Sequence, residues 1–279
     1  MSFGWSLKDL ERVPKNGLRV MTTFSCGGGS SMGYKLAGYD VVLANDIDQE
    51  MAWHYKTNLH PKHYVLAPIN ELVSRLPKDL GEIDVLDGSP PCSTFSTCGS
   101  REKAWGKEKH FREGQAKQVL SDLFFDFLDV AEVVRPKAII AENVKGMLVG
   151  NAKGYCKQIV ERLNGLGYTT QLFLLNAADC GVPQARERVF FCSIRSDLKK
   201  GQLILKLKPG RRPTVGEATA DLALTDAEKK AEAHTSNGDL TWWPLTRPGE
   251  LYKAARVRAG ASPSYFSHYR LDATKPSRT

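Results

Sequence analysis

LRVMTTFSCGGGSSMGYKLAGYDVVLANDID, residues Leu18 to Asp48, holds a complete strand–loop–helix–strand unit. Leu18–Phe24 is a short apolar run that predicts a strand, and Val41–Asn45 predicts a second. Cys26-Gly27-Gly28-Gly29 follows the first strand directly and precedes a helix-like stretch. Glycines there let a backbone approach a ligand closely, and the helix N-terminus adds donors. Asp46 closes the second strand about 20 residues later, where a carboxylate can accept hydrogen bonds from a ribose. Taken alone, these residues describe a generic adenosine-binding half-site. NAD, FAD and S-adenosylmethionine would each fit it, as would a tight glycine turn with no ligand.

Outward from this unit the alternation continues. His63–Leu66, Ile83–Asp87, Ala138–Glu142, Thr169–Leu175 and Val189–Ile194 read as strands, with helical patterns clearest at Ser121–Val134 and Gly154–Leu166. Such alternation predicts an α/β fold, a doubly wound and mostly parallel sheet covered on both faces. Ligands in these sheets sit at the carboxyl ends of the strands, so chemistry is expected after Phe24, Asn45, Asp87 and Glu142. The pattern degrades after Ser196. Residues 1–196 are therefore expected to form the catalytic domain and 197–279 a smaller second region. That second region holds 15 Lys and Arg against 9 Asp and Glu, most of the formal net charge of +8.

The excess positive charge fits a polyanionic partner. Hydrophobic content of 42% and charged content of 25% fit an ordinary globular chain. No apolar stretch approaches the roughly 18–20 residues of a membrane span, and Met1–Gly17 has no signal-like apolar run. A cytoplasmic location is expected. The six cysteines are spaced without CxxC pairs, which predicts no metal site and no disulfide scaffold.

Three further constellations lie at predicted strand ends. Gly88-Ser89-Pro90-Pro91-Cys92-Ser93 places a thiol behind two backbone-stiffening prolines, so Cys92 is a candidate nucleophile; a buried structural cysteine is the bland alternative. Glu142-Asn143-Val144 ends a strand with a carboxyl that burial could keep protonated for a ring nitrogen, although Asn143 could simply cap a helix. Gln184-Ala185-Arg186-Glu187-Arg188 would, in one extended segment, place Gln184, Arg186 and Arg188 on one face. Paired guanidiniums suit phosphates or a pyrimidine carbonyl, or merely salt bridges.

The ordered set Phe-x-x-Gly-Gly-Gly, Pro-Pro-Cys, Glu-Asn-Val and Gln-x-Arg-x-Arg resembles the DNA (cytosine-5)-methyltransferase family from Leu18 to about Arg195. The resemblance implies a class I, Rossmann-like methyltransferase fold that uses S-adenosyl-L-methionine and releases S-adenosyl-L-homocysteine. It implies Cys92 as nucleophile, Glu142 as the partner of cytosine N3, and Arg186 and Arg188 as active-site arginines. Phe24, Cys26, Gly27, Gly28, Gly29, Asp46, Ile47, Ile69, Pro91 and Leu123 would bind the cofactor, Phe24 and Ile47 against the adenine and Asp46 on the ribose. Ser93–Gln118 resembles the family's mobile loop, which would bring Ser96, Arg101, Lys103, Lys107 and Lys109 to double-stranded DNA, with Arg112 and Lys117 as further phosphate-facing charges and Gln184 nearby.

Cys26 stands where the family has a glycine, and Pro68 where it has an adenine-binding acid. The family's terminal Arg-x-Leu-Thr and Gly-Asn-x-Val-Pro segments have no counterpart up to Thr279. The expectation is therefore a partial target-recognition region completed by a second polypeptide or a continuation. The function implied is cytosine C5 methylation of DNA for restriction-modification or for phage or host DNA protection. RNA cytosine-5 methylation and a non-catalytic DNA-binding remnant are the alternatives.

Overall fold

The computed structural model describes residues 6–91, 108–109, 118–119, 122–150, 152–198, 210–223, 225–227, 243–262 and 269–278, with backbone alone at 108–109 and 118–119. Cys92, Ser96, Arg101, Lys103 and Lys107 lie outside the described residues, and Lys109 is described only in its backbone.

The opening unit folds as its pattern dictates. After helix α1 (Leu7–Arg12) come β1 (Arg19–Thr23), α2 (Gly29–Leu36), β2 (Asp40–Asp46), α3 (Gln49–Leu59), β3 (His63–Leu66) and the short α4 (Ile69–Leu72). Then follow β4 (Val85–Gly88), the strand pair β5 (Glu108–Lys109) and β6 (Gln118–Val119), α5 (Leu123–Val134), β7 (Ala138–Val144), α6 (Ala152–Gly165) and β8 (Tyr168–Asn176). The remaining elements are β9 (Gln184–Ala185), β10 (Glu187–Arg195), α7 (Val215–Ala218), α8 (Tyr252–Arg258) and β11 (Ser277–Arg278).

All seven predicted strands join one sheet in the order β3-β2-β1-β4-β7-β10-β8. The five from β3 to β7 run parallel, and β10 is antiparallel to β7. Side chains alternate across it. Met21, Leu43, Leu86, Ile139 and Phe191 share one face and pack with Ile69, Phe124, Phe127 and Ile159 from α4–α6 in the main core. A smaller cluster on the other face joins Leu10, Ala44, Tyr55 and Leu59, from α1, β2 and α3. At roughly 1.5–3 kcal/mol per buried large apolar side chain, the main core dominates the stability of this unit.

One charged cluster pins the amino end of the sheet. Asp84 Oδ2 accepts from the Arg19 N–H at 2.7 Å, and Oδ1 pairs with Lys137 Nζ at 2.7 Å. Burial alone would raise this carboxyl, but Lys137 and the Arg19 amide bring it below its ordinary value. The ends of β1, β4 and β7 are thereby held in step.

The chain divides into two compact units, residues 1–174 with 188–205 and residues 175–187 with 206–279. The sequence boundary at 196 thus differs from the fold, because Leu175–Glu187 joins the second unit. β9 pairs there with β11, and Arg212 Nε bonds Asp179 Oδ1 at 2.6 Å. Within the same unit, Glu250 accepts from Arg258 and from the Arg247 N–H, which together hold its carboxyl down at about 2.

Candidate active site

The carboxyl ends of β1, β2, β4 and β7 gather most of the predicted groups of the first unit. Between β1 and α2, Phe24 and Cys26 adopt φ of 51° and 45°, and Gly28 adopts 92°. Holding a non-glycine residue in this left-handed region costs roughly 1–2 kcal/mol, a cost that a glycine at position 26 would avoid. The turn is stitched by Gly28 N–H to Ser25 O at 2.8 Å and Ser25 N–H to Asn45 O at 3.0 Å.

The three glycines differ in kind. A Cβ on Gly28 would run into Leu59 and Tyr55 of α3, so this glycine is required by the fold. Gly27 and Gly29 are exposed, and a Cβ on either would meet nothing within 4 Å. They leave a bare backbone facing open space, as a ligand cradle requires. Asp46 borders it. Its Oδ2 accepts from Cys26 N–H at 2.7 Å and its Oδ1 from Asp48 N–H at 2.9 Å. The acid therefore shapes the loop itself, and each oxygen keeps a second lone pair for a ribose hydroxyl. Ile47 and Phe24 are half-buried, whereas Ile69 and Leu123 are packed into the main core, 2% and 3% exposed. The arrangement fits an adenosine-bearing cofactor at Gly27, Gly29, Asp46, Phe24 and Ile47.

The approach to Cys92 is clamped from two sides. A Cβ on Gly88 would lie 2.6 Å from both Phe127 Cε2 and Thr23 Oγ1, so β4 can end only on glycine here. The buried Asn143 carboxamide donates to Pro90 O at 3.1 Å. Sequence reading offers helix capping for Asn143; the cap of the short helical turn 145–148 is instead Val144. Pro91, next to Cys92 in the sequence, is exposed.

Glu142, beside that clamp, pairs through Oε1 with Arg188 Nε at 2.9 Å, both side chains being half-buried. β10 is antiparallel to β7, with Arg188 opposite Val144 and Phe190 opposite Glu142, which brings the guanidinium to the carboxylate. The predicted single extended run through Gln184, Arg186 and Arg188 is broken. Arg186 N–H bonds Gln184 O at 3.0 Å in a tight turn, which separates β9 from β10. Gln184 and the exposed Arg186 belong to the second unit and Arg188 to the first.

Residues 18–246 match the model of the C-5 cytosine-specific DNA methylase family. The chain belongs to that family. It is 34% identical over 181 residues to the type II methyltransferase M.FnuDI of Fusobacterium nucleatum, covering 65% of this chain and 48% of that protein. It is 32% identical over 226 residues to M.DdeI of Desulfomicrobium norvegicum, covering 77% of this chain and 51% of the relative. The chain thus spans about half the length of the curated relatives it matches. A prophage-encoded E. coli protein assigned as a DNA modification methyltransferase superposes with a TM-score of 0.59 at 25% identity, over 74% of this chain and 56% of that one. Spodoptera frugiperda DNMT2 shares the fold, with a TM-score of 0.55 at 21% identity, over 76% of this chain and 62% of that one. The fold of this chain is accordingly the Rossmann-like class I methyltransferase fold. No helix among the described residues is long and apolar enough to cross a membrane.

Proposed function

We propose that this chain transfers a methyl group from S-adenosyl-L-methionine to C5 of cytosine in double-stranded DNA through a covalent bond from Cys92 to C6. The observation that carries this reading is the Glu142–Arg188 pair, set next to the clamped Pro90 turn on the sheet edge that bears the open glycine loop.

C5 of cytosine is a weak nucleophile. Attack of the Cys92 thiolate on C6 forms a C–S bond and pushes the C5–C6 electron pair into the ring, making C5 enamine-like. Glu142 donates a proton to N3, which stabilises the negative charge that reaches the ring. Arg188 orients Glu142, and Arg186 serves O2 or a neighbouring phosphate. Phe24, Gly27, Gly29, Asp46 and Ile47 would cradle S-adenosyl-L-methionine, whose sulfonium would supply an electrophilic methyl group to C5, with S-adenosyl-L-homocysteine as the product. A base then removes the C5 proton, and elimination breaks the C–S bond to free Cys92. The reacting atoms are stacked inside a duplex, so the cytosine must be turned out. Ser96, Arg101, Lys103, Lys107, Lys109 and Gln184 form the DNA-facing side of this proposal. Such a reaction, for restriction-modification or for phage or host DNA protection, belongs in the cytoplasm of a bacterial or phage-infected cell.

The test is covalent trapping. With S-adenosylmethionine and duplex DNA containing 5-fluorocytosine, the chain should form a denaturant-resistant adduct that Cys92→Ser abolishes. An adduct with transfer RNA alone would move the substrate to RNA. DNA binding with no adduct and no methylation would mark a non-catalytic module.

A further inference from the structure

The helix that follows the glycine loop is poorly built to stand alone. α2 reads Gly29-Ser30-Ser31-Met32-Gly33-Tyr34-Lys35-Leu36, and two of its eight residues are glycines. Its N-cap is Gly28, at φ 92°, and no side chain caps its first turn. An uncapped turn of this composition frays unless other elements hold it.

Two ties hold it. On the exposed side, Ser30 bonds the carboxyl of Asp87, which lies at the end of β4 and is 8% exposed, and Tyr34 donates to Asp87 Oδ1 at 3.1 Å. On the buried side, Ser31 joins a cluster of hydroxyls closed to solvent. Tyr55 of α3 donates to Ser31 Oγ at 2.7 Å, and Thr22 Oγ1 of β1 lies 3.2 Å from the same oxygen. The two ties respond differently to pH. Burial pushes the Asp87 carboxyl up to about 7, so it changes charge near neutrality. Burial raises the Tyr55 hydroxyl above its ordinary value, so it stays a donor.

Tyr55 also forms the floor of the loop. Its ring and Leu59 are what a Cβ on Gly28 would strike, and Tyr64 backs the ring at 5.3 Å. At the start of the same helix, Asp48 caps α3 through the Glu50 and Met51 amides, and the Asp48 N–H donates to Asp46 Oδ1. α3 therefore reaches both banks of the cradle, Asp46 through its cap and α2 through Tyr55.

We propose that Tyr55 is a positioning residue for the cofactor: its hydroxyl, acting through Ser31, holds the first turn of α2 against β1, so that the Gly27–Gly29 backbone meets S-adenosylmethionine already formed. This rests on the reading of the glycine loop as the cofactor cradle. Without the tie the competent turn is populated only part of the time, and affinity falls by that fraction.

Tyr55→Phe isolates the hydroxyl. The ring still packs on Gly28 and Tyr64, and Ser31 and Thr22 keep each other as partners. Calorimetry on the full chain, at one pH and well below the melting temperature, should find S-adenosylmethionine bound about three- to tenfold more weakly. Amide hydrogen exchange in the free protein should speed up at Gly29–Met32 and stay unchanged in β7 and α6. Ser31→Ala removes the same bond from its other end and should also weaken binding; if Tyr55→Phe fails to fold by circular dichroism, Ser31→Ala decides alone. Wild-type affinity in the folded variants overturns the proposal, whatever happens to stability. Weaker binding with exchange raised equally across the first unit marks general loosening and overturns it too. A wild type that binds no S-adenosylmethionine removes the cofactor reading and this proposal with it, whereas equal affinity removes the proposal alone.

Discussion

Asp87 illustrates what a single carboxyl can cost a fold. In the unfolded chain it would release its proton near 3.8, but in the folded unit it holds on to about 7. Between those values the native state binds more protons than the unfolded state, so stability falls as pH rises. The penalty is complete above about pH 7 and amounts to about 4 kcal/mol at most. Urea titrations at pH 5 and pH 8 should find the wild type less stable at pH 8, and Asp87→Asn should shrink that difference. An equally large pH dependence in the variant would locate the effect elsewhere. An acid at a strand's carboxyl end, behind Val85-Leu86, is a visible signal in the sequence, but its neighbours are not, because Tyr34 is 53 residues away along the chain. Asn143 is hidden for the same reason: its role depends on Pro90, a partner that only the β4–β7 pairing supplies.

At the level of elements, the glycine loop separates two requirements that the sequence alone merges. Gly28→Ala should destabilise the fold by about 1–3 kcal/mol, since the added carbon meets Leu59 and Tyr55 at a left-handed φ. Gly27→Ala adds a carbon into open space at an ordinary φ, so its melting temperature should stay within a degree or two of wild type while calorimetry records weaker S-adenosylmethionine binding. Equal affinity in Gly27→Ala would remove that glycine from the cofactor cradle. The strands themselves are legible because alternating and continuous apolar runs are local signals. The break at Gln184–Arg186 is not, since charged residues in tandem carry no local mark of a tight turn, and β9 forms only by pairing with β11 about 90 residues on. Cys26 stands out in the sequence as a departure from the family, yet its cost is apparent only with its φ of 45°.

For the whole molecule, the net charge of +8 has a measurable consequence if the partner is DNA. Each phosphate that the protein neutralises should contribute about 0.9 to the slope of log affinity against log salt. Neutralising Lys103, Lys107 and Lys109 together should flatten that slope by up to about 0.9 for each phosphate no longer engaged, measured by fluorescence anisotropy between low and moderate salt. An unchanged slope would take Ser93–Gln118 out of the interface. The fold class and the family are legible from four short motifs because each sits at a strand end, where this architecture concentrates function. The division into units is not legible, because Leu175–Glu187 departs from the first unit and Arg188–Leu205 returns to it, a change of partner with no change in composition.

The loop between β1 and α2 has one more consequence. Its turn is already closed by Cys26 N–H to Asp46, Gly28 N–H to Ser25 and Ser25 N–H to Asn45. A cradle bonded in this way has no chain ordering left to do when a small molecule arrives. The heat-capacity change of S-adenosylmethionine binding should then follow the apolar area that the ligand and its pocket hide, with no added contribution from loop folding. Calorimetry over a range of temperatures would read this as a modest, temperature-independent slope of binding enthalpy. A much steeper slope, of the size that coupled folding produces, would mean that the loop is made by its guest.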